Sequence, residues 1–187
     1  MSDLTTFKKA LADKPFLVLD TETTGLYDGE IIQIAIINSS GETLLNSYVK
    51  PVEPIPSDSI RIHGITDEMV KDAPSWIDLL PKIKGILDGH LLVVYNATYD
   101  RKMMHKTAER HDLPKTEWKE VAEWHCAMLA FAELYGDWYN YHGNYRWQKL
   151  TVAARYCRVP VDAAHDALGD CLMTLGVVRY MLESEVK

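Results

Sequence analysis

The chain has no apolar run approaching the roughly 20 residues of a membrane span. Its first fourteen residues are polar and charged, without an apolar stretch of signal-peptide length. These absences predict a cytoplasmic protein with no membrane association. Cysteine is scarce: Cys126, Cys157 and Cys171 are scattered, and none belongs to a Cys-x-x-Cys pair. That argues against a disulfide framework or a structural zinc site and fits reduced, buried thiols. Positive charge is short too. The formal net charge is −7, which argues against a protein held on nucleic acid by a global positive field. Also missing are a Gly-x-x-x-x-Gly-Lys phosphate loop, a Gly-x-Gly-x-x-Gly turn after the first strand, a Gly-x-Ser-x-Gly elbow and a His-Glu-x-x-His zinc helix.

What is present suits one compact enzyme-sized unit. The 187 residues are 47% hydrophobic and 25% charged, without low-complexity tracts or internal repeats. A single domain over residues 1–187 is expected, with its core at about 15–182. Apolar and β-branched runs predict strands at 16–20, 31–38 and 44–49, joined by short turns as an antiparallel meander. Pro51, Pro54 and Pro56 force an extended connection. Thr66 and Ser75 mark helix starts, the second helix running over 76–87 to a stop at Gly89. The order then changes to a buried strand at 91–95 and a helix over 99–111. A strand near 121–125 and helices near 127–135, 147–157 and 166–183 follow. The sum is an α/β domain, a mixed sheet with helices packed on it.

Acidic residues carry the chemistry. Asp20 and Glu22 stand two apart at the end of an apolar strand, so both side chains leave the same face. A like-charged pair at a strand's mouth costs stability unless a cation compensates it. Asp100 lies just past the second buried strand, at the sheet end where ligands of α/β proteins gather. His165 and Asp170 are separated by about 500° of helical rotation, roughly 140° out of alignment. His165 is therefore expected in the loop before the last helix, accessible to solvent and able to act as a base near neutral pH. Hard oxygen ligands suit Mg²⁺ or Mn²⁺, and two such ions roughly 4 Å apart stabilise both the attacking and the leaving oxygen of a phosphodiester.

Three segments make the pattern specific: Asp20-Thr21-Glu22-Thr23-Thr24-Gly25-Leu26, Asn96-Ala97-Thr98-Tyr99-Asp100 and His165-Asp166-Ala167-Leu168-Gly169-Asp170. In order and separation they resemble the three motifs of the DEDDh (DnaQ-like) exonuclease family. Ile62-His63-Gly64-Ile65-Thr66 is similar to a further segment of that family. The resemblance implies an RNase H-like fold with a five-stranded mixed sheet whose first three strands are antiparallel, and stepwise release of nucleoside 5′-monophosphates from 3′ ends. It implies two Mg²⁺ or Mn²⁺ ions, one held by Asp20, Glu22 and Asp170, with Asp20 bridging to the second and Asp100 assisting, and His165 as general base. Thr23 and Leu26 match positions that receive the terminal nucleotide, with core packing the competing reading for Leu26. His63 lies near substrate or acts in capping and packing. Asn96 orders the loop that presents Asp100.

The spelling of the motifs resembles the DNA-processing members, so single-stranded DNA 3′ ends are the expected partner, with short RNA as the alternative substrate. A chain ending soon after its last helix reads as a free-standing repair or degradative nuclease without an obligatory protein partner. A non-catalytic nucleic-acid-binding module would be expected to have lost a ligand, and all five residues are present. Departures from the family pattern are Tyr95, Tyr99 and Cys171, none of them a ligand position. Arg101, Lys102, His105, Lys106 and Arg110 form either a phosphate-facing stripe or a solvated helix face. The segment 136–147 holds Trp138, Tyr139, Tyr141, Tyr145 and Trp147. It reads either as a stacking platform for unpaired bases or as a cover for the core.

Overall fold

The structure is a computed structural model that describes residues 3–161 and 165–184; positions 162–164 of the expected core lie outside the described residues. Strands β1 (Phe16–Thr23), β2 (Ile31–Asn38), β3 (Thr43–Tyr48), β4 (Leu91–Val94) and β5 (Glu123–Cys126) form one sheet in the order β3-β2-β1-β4-β5. The first three are antiparallel, and β4 and β5 run parallel to β1. This is the expected mixed five-stranded sheet of an α/β domain.

Alternation along β1 divides the core in two. Phe16 and Val18 point to a cluster formed with Leu4, Phe7, Phe131, Val177 and Val178. Leu17 and Leu19 point to the opposite cluster, with Trp76, Ile83, Met103 and Trp118. The first layer comprises α1 (Asp3–Leu11), α7 (Ala127–Tyr135), α8 (Leu150–Tyr156) and α9 (Ala167–Glu183). The second comprises α4 (Trp76–Leu87) and α5 (Ala97–Arg110), with the short α6 (Trp118–Val121) beside them. The connection after β3 carries α2 (Ser57–His63) and α3 (Asp67–Val70). Helix α4 starts where Ser75 predicts, through a reciprocal capping box with Asp78.

Local differences from the sequence expectations have physical reasons. The polar-looking amino-terminal segment forms α1 because Leu4, Phe7 and Leu11, spaced three and four apart, bury one face against α7 and α9. Helix α2 follows the proline-rich connection directly, with Pro56 as its N-cap. The strand expected near 121 begins at Glu123, because residues 118–121 wind into α6. The helix expected from 147 begins at Leu150, after an extended Lys149. The aromatic segment forms a hairpin of β6 (Trp138–Tyr139) and β7 (Asn144–Tyr145). It does not cover the core: Trp138, Tyr141 and Trp147 are 50%, 82% and 65% exposed.

Helix α9 packs across β1 and β2, and its Gly176 lets the segment after α8 approach it closely. A Cβ there would stand 2.7 Å from the methyls of Val159.

Candidate active site

The site forms where β1 outruns its neighbour. β4 pairs with β1 only as far as Val18↔Val93 and ends at Val94, so Asp20 and the residues after it border the gap beyond β4. Asp20 and Glu22 share the parity of Val18 and face α9. Thr21 shares the parity of Leu19 and faces α5, where its hydroxyl donates to Asp100 Oδ1 at 2.8 Å. Asp100 sits in the first turn of α5 and is buried. Asp170 sits in the first turn of α9. Three elements thus converge on one end of the sheet.

His165 lies in the turn before α9, as expected, with its side chain exposed. Its φ of 69° places a non-glycine residue in the left-handed region, a conformation that recurs at functional sites. Its backbone N–H donates to Asp170 Oδ1 at 3.3 Å. Asp166 caps the helix, its side chain accepting from Gly169 N–H at 3.1 Å. Glu22, His165 and Asp170 each offer a ligand atom, all within 4.8 Å of one another.

The carboxylates strain against their surroundings. Burial, followed by the charges of Asp170, Asp100 and Asp166, pushes Glu22 up to about 8. Burial raises Asp100 to about 7 despite the hydrogen bond from Thr21. It raises Asp170 to about 6 against the opposing pull of His165. Asp20 is raised well above the ordinary carboxylate range, first by burial and then by Asp100, Asp170 and Glu22. Four carboxylates held together in this way destabilise one another, and a divalent cation is the natural compensation. Carboxylate oxygens with one adjacent imidazole fit a hard cation such as Mg²⁺ or Mn²⁺.

Beside the carboxylates lies a cleft of about 320 Å³, lined among others by Thr23, Leu26, Ile62, His63, Asn96 and Tyr99. Leu26 is 67% exposed, so its core reading is wrong. The loop that carries it is pinned at several points. Thr24 N–H donates to the Glu30 carbonyl at 2.9 Å, and Glu30 N–H donates to Thr24 Oγ1 at 2.9 Å. A Cβ on Gly29 would stand 2.2 Å from the Gly25 carbonyl oxygen. Lys106 and Arg110 pair with Asp28 at 3.4 and 3.3 Å. Those two cations hold the loop, so the helix face they occupy is not a free phosphate-binding stripe.

His63 lines the cleft, and its Nδ1 accepts from Ile65 N–H at 3.0 Å. Burial, then His165, lowers its pKa, and the accepting Nδ1 leaves the proton of the neutral ring on the buried Nε2. Asn96 orders the start of α5 through its carbonyl, which accepts from Tyr99 N–H at 2.8 Å. Its side chain makes no capping hydrogen bond and is exposed to the cleft. Sequence reasoning passed over two contributors. The Tyr99 hydroxyl shares a 2.6 Å hydrogen bond with Thr23 Oγ1. Gln33 is buried beside Glu22 across the β1–β2 ladder, and its signal was a lone polar residue inside the apolar run Ile31-Ile32-Gln33-Ile34-Ala35.

Comparison with known proteins agrees with this geometry. A family model described as "RNase_T: Exonuclease" matches residues 17–178. The uncharacterized exonuclease CP81 of Escherichia phage 186 is 42% identical over 175 residues, spanning 91% of this chain and 89% of that protein. Exodeoxyribonuclease 10 of Escherichia coli K12 is 31% identical over 165 residues, 86% of this chain and 66% of that one. Longer relatives also match. The chain spans 24% of a DNA polymerase III subunit epsilon-like protein of Rhodobacter capsulatus, at 30% identity over 89% of this chain. Among solved structures, exonuclease X in complex with 5′ overhanging duplex DNA superimposes with a TM-score of 0.65 at 26% identity, covering 89% of this chain and 90% of that one. Exonuclease I in complex with a dT13 oligonucleotide shares the fold, at a TM-score of 0.70 and 18% identity over 87% of this chain and 40% of that one. No helix among the described residues is long and apolar enough to cross a membrane. The chain belongs to the RNase_T exonuclease family, and it is a DnaQ-like nuclease of RNase H-like fold.

Proposed function

We propose that this protein is a 3′-to-5′ exonuclease that removes nucleoside 5′-monophosphates from single-stranded DNA in the cytoplasm, using two Mg²⁺ or Mn²⁺ ions. The observation that carries this reading is the convergence of Asp20, Glu22, Asp100 and Asp170 with raised pKa values at one sheet end. Asp20, Glu22 and Asp170 would hold one ion, and Asp20 with Asp100 the other. When bound, the ions supply Lewis-acid stabilisation of the charge that develops on the phosphodiester oxygens.

The chain's own groups do the rest. His165, exposed next to Glu22 and Asp170, takes the proton from the water that attacks phosphorus, and Asp170 stabilises the imidazolium that results. Leu26 and Ile62, both exposed at the cleft, clasp the terminal base. Thr23, His63 and Asn96 border the same cleft, where the sugar and phosphate would lie. The hairpin of β6 and β7 serves as a stacking platform for unpaired bases, supported by the exposure of Trp138, Tyr141 and Trp147. DNA is favoured because exonuclease X and exonuclease I were solved with DNA.

The test is digestion of matched 5′-labelled single-stranded DNA and RNA with Mg²⁺ or EDTA, with Asp170→Ala as control. The reading expects a metal-dependent ladder shortening from the 3′ end, faster on DNA and absent in the variant. Faster decay of RNA would move the substrate to short RNA. No cleavage of either, in Mg²⁺ or Mn²⁺, would leave a binding module or an enzyme that needs a missing partner.

A further inference from the structure

We propose that Gln33 is a positioning residue that sets His165 and Asp170 by clamping the first turn of α9. The proposal rests on the roles given to those two residues above. Gln33 lies on β2, is 3% exposed, and uses every polar atom of its side chain. Its Nε2 donates to Asp166 Oδ1 at 2.8 Å and to Asn46 Oδ1 at 3.2 Å. Its Oε1 accepts from Ala167 N–H at 3.3 Å.

Two of those partners, Asp166 and Ala167, lie between the base and the ligand. Asp166 follows His165 and caps α9 through Gly169 N–H, and its carbonyl accepts from Asp170 N–H at 2.9 Å. Ala167 N–H is one of the donors that a helix start leaves without an intrahelical partner. The clamp therefore satisfies one orphan donor, fixes the capping carboxylate and joins the last helix to the strand beside Glu22. Asp166 also lies near enough to raise Asp20, Glu22 and Asp170 electrostatically, and the Gln33 amide N–H draws its charge toward β2. Without the clamp, the Asp166 carboxylate keeps only its bond from Gly169 N–H and His165 only its bond to Asp170, so the first turn of α9 and the left-handed residue before it lose their tie to β2. A displacement of about 1 Å at a reacting group costs up to roughly 100-fold in rate.

The test uses Gln33→Leu, Gln33→Glu, Asp166→Asn and the double variant Gln33→Glu/Asp166→Asn, with turnover on a labelled single-stranded DNA oligonucleotide, Mn²⁺ affinity by calorimetry, and melting temperature. Gln33→Leu is expected to lower kcat by about 10- to 100-fold, with KM within about 2-fold because the cleft residues stand on other elements. Gln33→Glu sets two carboxylates against each other and should lose as much. The double variant reverses the polarity of the same hydrogen bond and should recover to within about 5-fold of wild type. Loss of melting temperature with unchanged kcat would reduce Gln33 to a stability role and overturn the proposal, as would a double variant no better than Gln33→Glu. Should wild-type protein show no metal-dependent cleavage, the proposed function fails on its own. The clamp is then read from Mn²⁺ affinity, which Gln33→Leu must weaken and the double variant must restore.

Discussion

The end of β1 and the hairpin at 138–145 are built on opposite principles. At the strand end, charged groups are drawn inward: Asp100 is buried at 3% exposure, and its three acidic neighbours all have raised pKa values. On the hairpin, large rings that would ordinarily be inside are held outward. Trp138 packs edge-on against Tyr145 at 5.0 Å and Arg146 lies 4.4 Å over Tyr139, yet Tyr141 remains 82% exposed. Each region gives up something a purely structural design would keep. The difference lies in what each awaits: buried like charges call for a cation, and exposed rings for another flat apolar surface.

Breaking the carboxylate centre should have the largest effect. Asp20→Ala, Asp170→Ala and His165→Ala should each lower turnover by about 100-fold or more with the fold retained, as steady-state kinetics and circular dichroism would show. A variant with wild-type turnover would remove that residue from the mechanism.

The next effect is on stability. In metal-free protein, the raised carboxylates hold protons in the folded state that the unfolded chain releases near its ordinary pKa of about 4. Stability should therefore fall as pH rises from about 4 towards the values of about 6, 7 and 8 for Asp170, Asp100 and Glu22. Thermal melts with EDTA should show this fall. Mn²⁺ should raise the melting temperature more at pH 8 than at pH 5, since the ion competes with those protons. Asp20→Asn should stabilise the metal-free protein at pH 8 by a few degrees, on the order of 1 kcal/mol, while abolishing cleavage. A melting temperature indifferent to pH and metal would mean that the carboxylates do not repel as described.

Changes in the hairpin should leave turnover at the carboxylates unchanged and act on strand binding alone. Trp138→Ala and Tyr141→Ala should weaken binding of single-stranded DNA by roughly 1 to 3 kcal/mol for each base that stacks, measured by fluorescence anisotropy, with cleavage of a dinucleotide unaffected. Unchanged affinity for long strands would end the stacking role.

The two regions also differ in how far they could be read from the sequence. The placing of Asp20, Glu22, Asp100, His165 and Asp170 at one sheet end was legible because strand parity and helix rotation are local rules, while their reading as one set came from the resemblance of the three motifs that carry them. The contribution of Gln33 was not legible, because its partners Asp166 and Ala167 are 133 and 134 residues away and only the β1–β2 register and the seat of α9 bring them together. The aromatic segment was visible as composition, but composition does not say whether a ring points in or out. The same holds for Lys106 and Arg110, whose helical spacing was evident while their pairing with Asp28 depends on a loop in another part of the chain. Helix α1 is a different case. Its Leu4, Phe7, Leu11 spacing was there to be read, and the charged residues between them hid it.

If the four carboxylates form a seat for divalent cations, calorimetric titration of Mn²⁺ at pH 8 should show saturable binding to the wild type and its loss in an Asp20→Asn variant that remains folded. Equal binding by both proteins would mean that the carboxylates are not that seat.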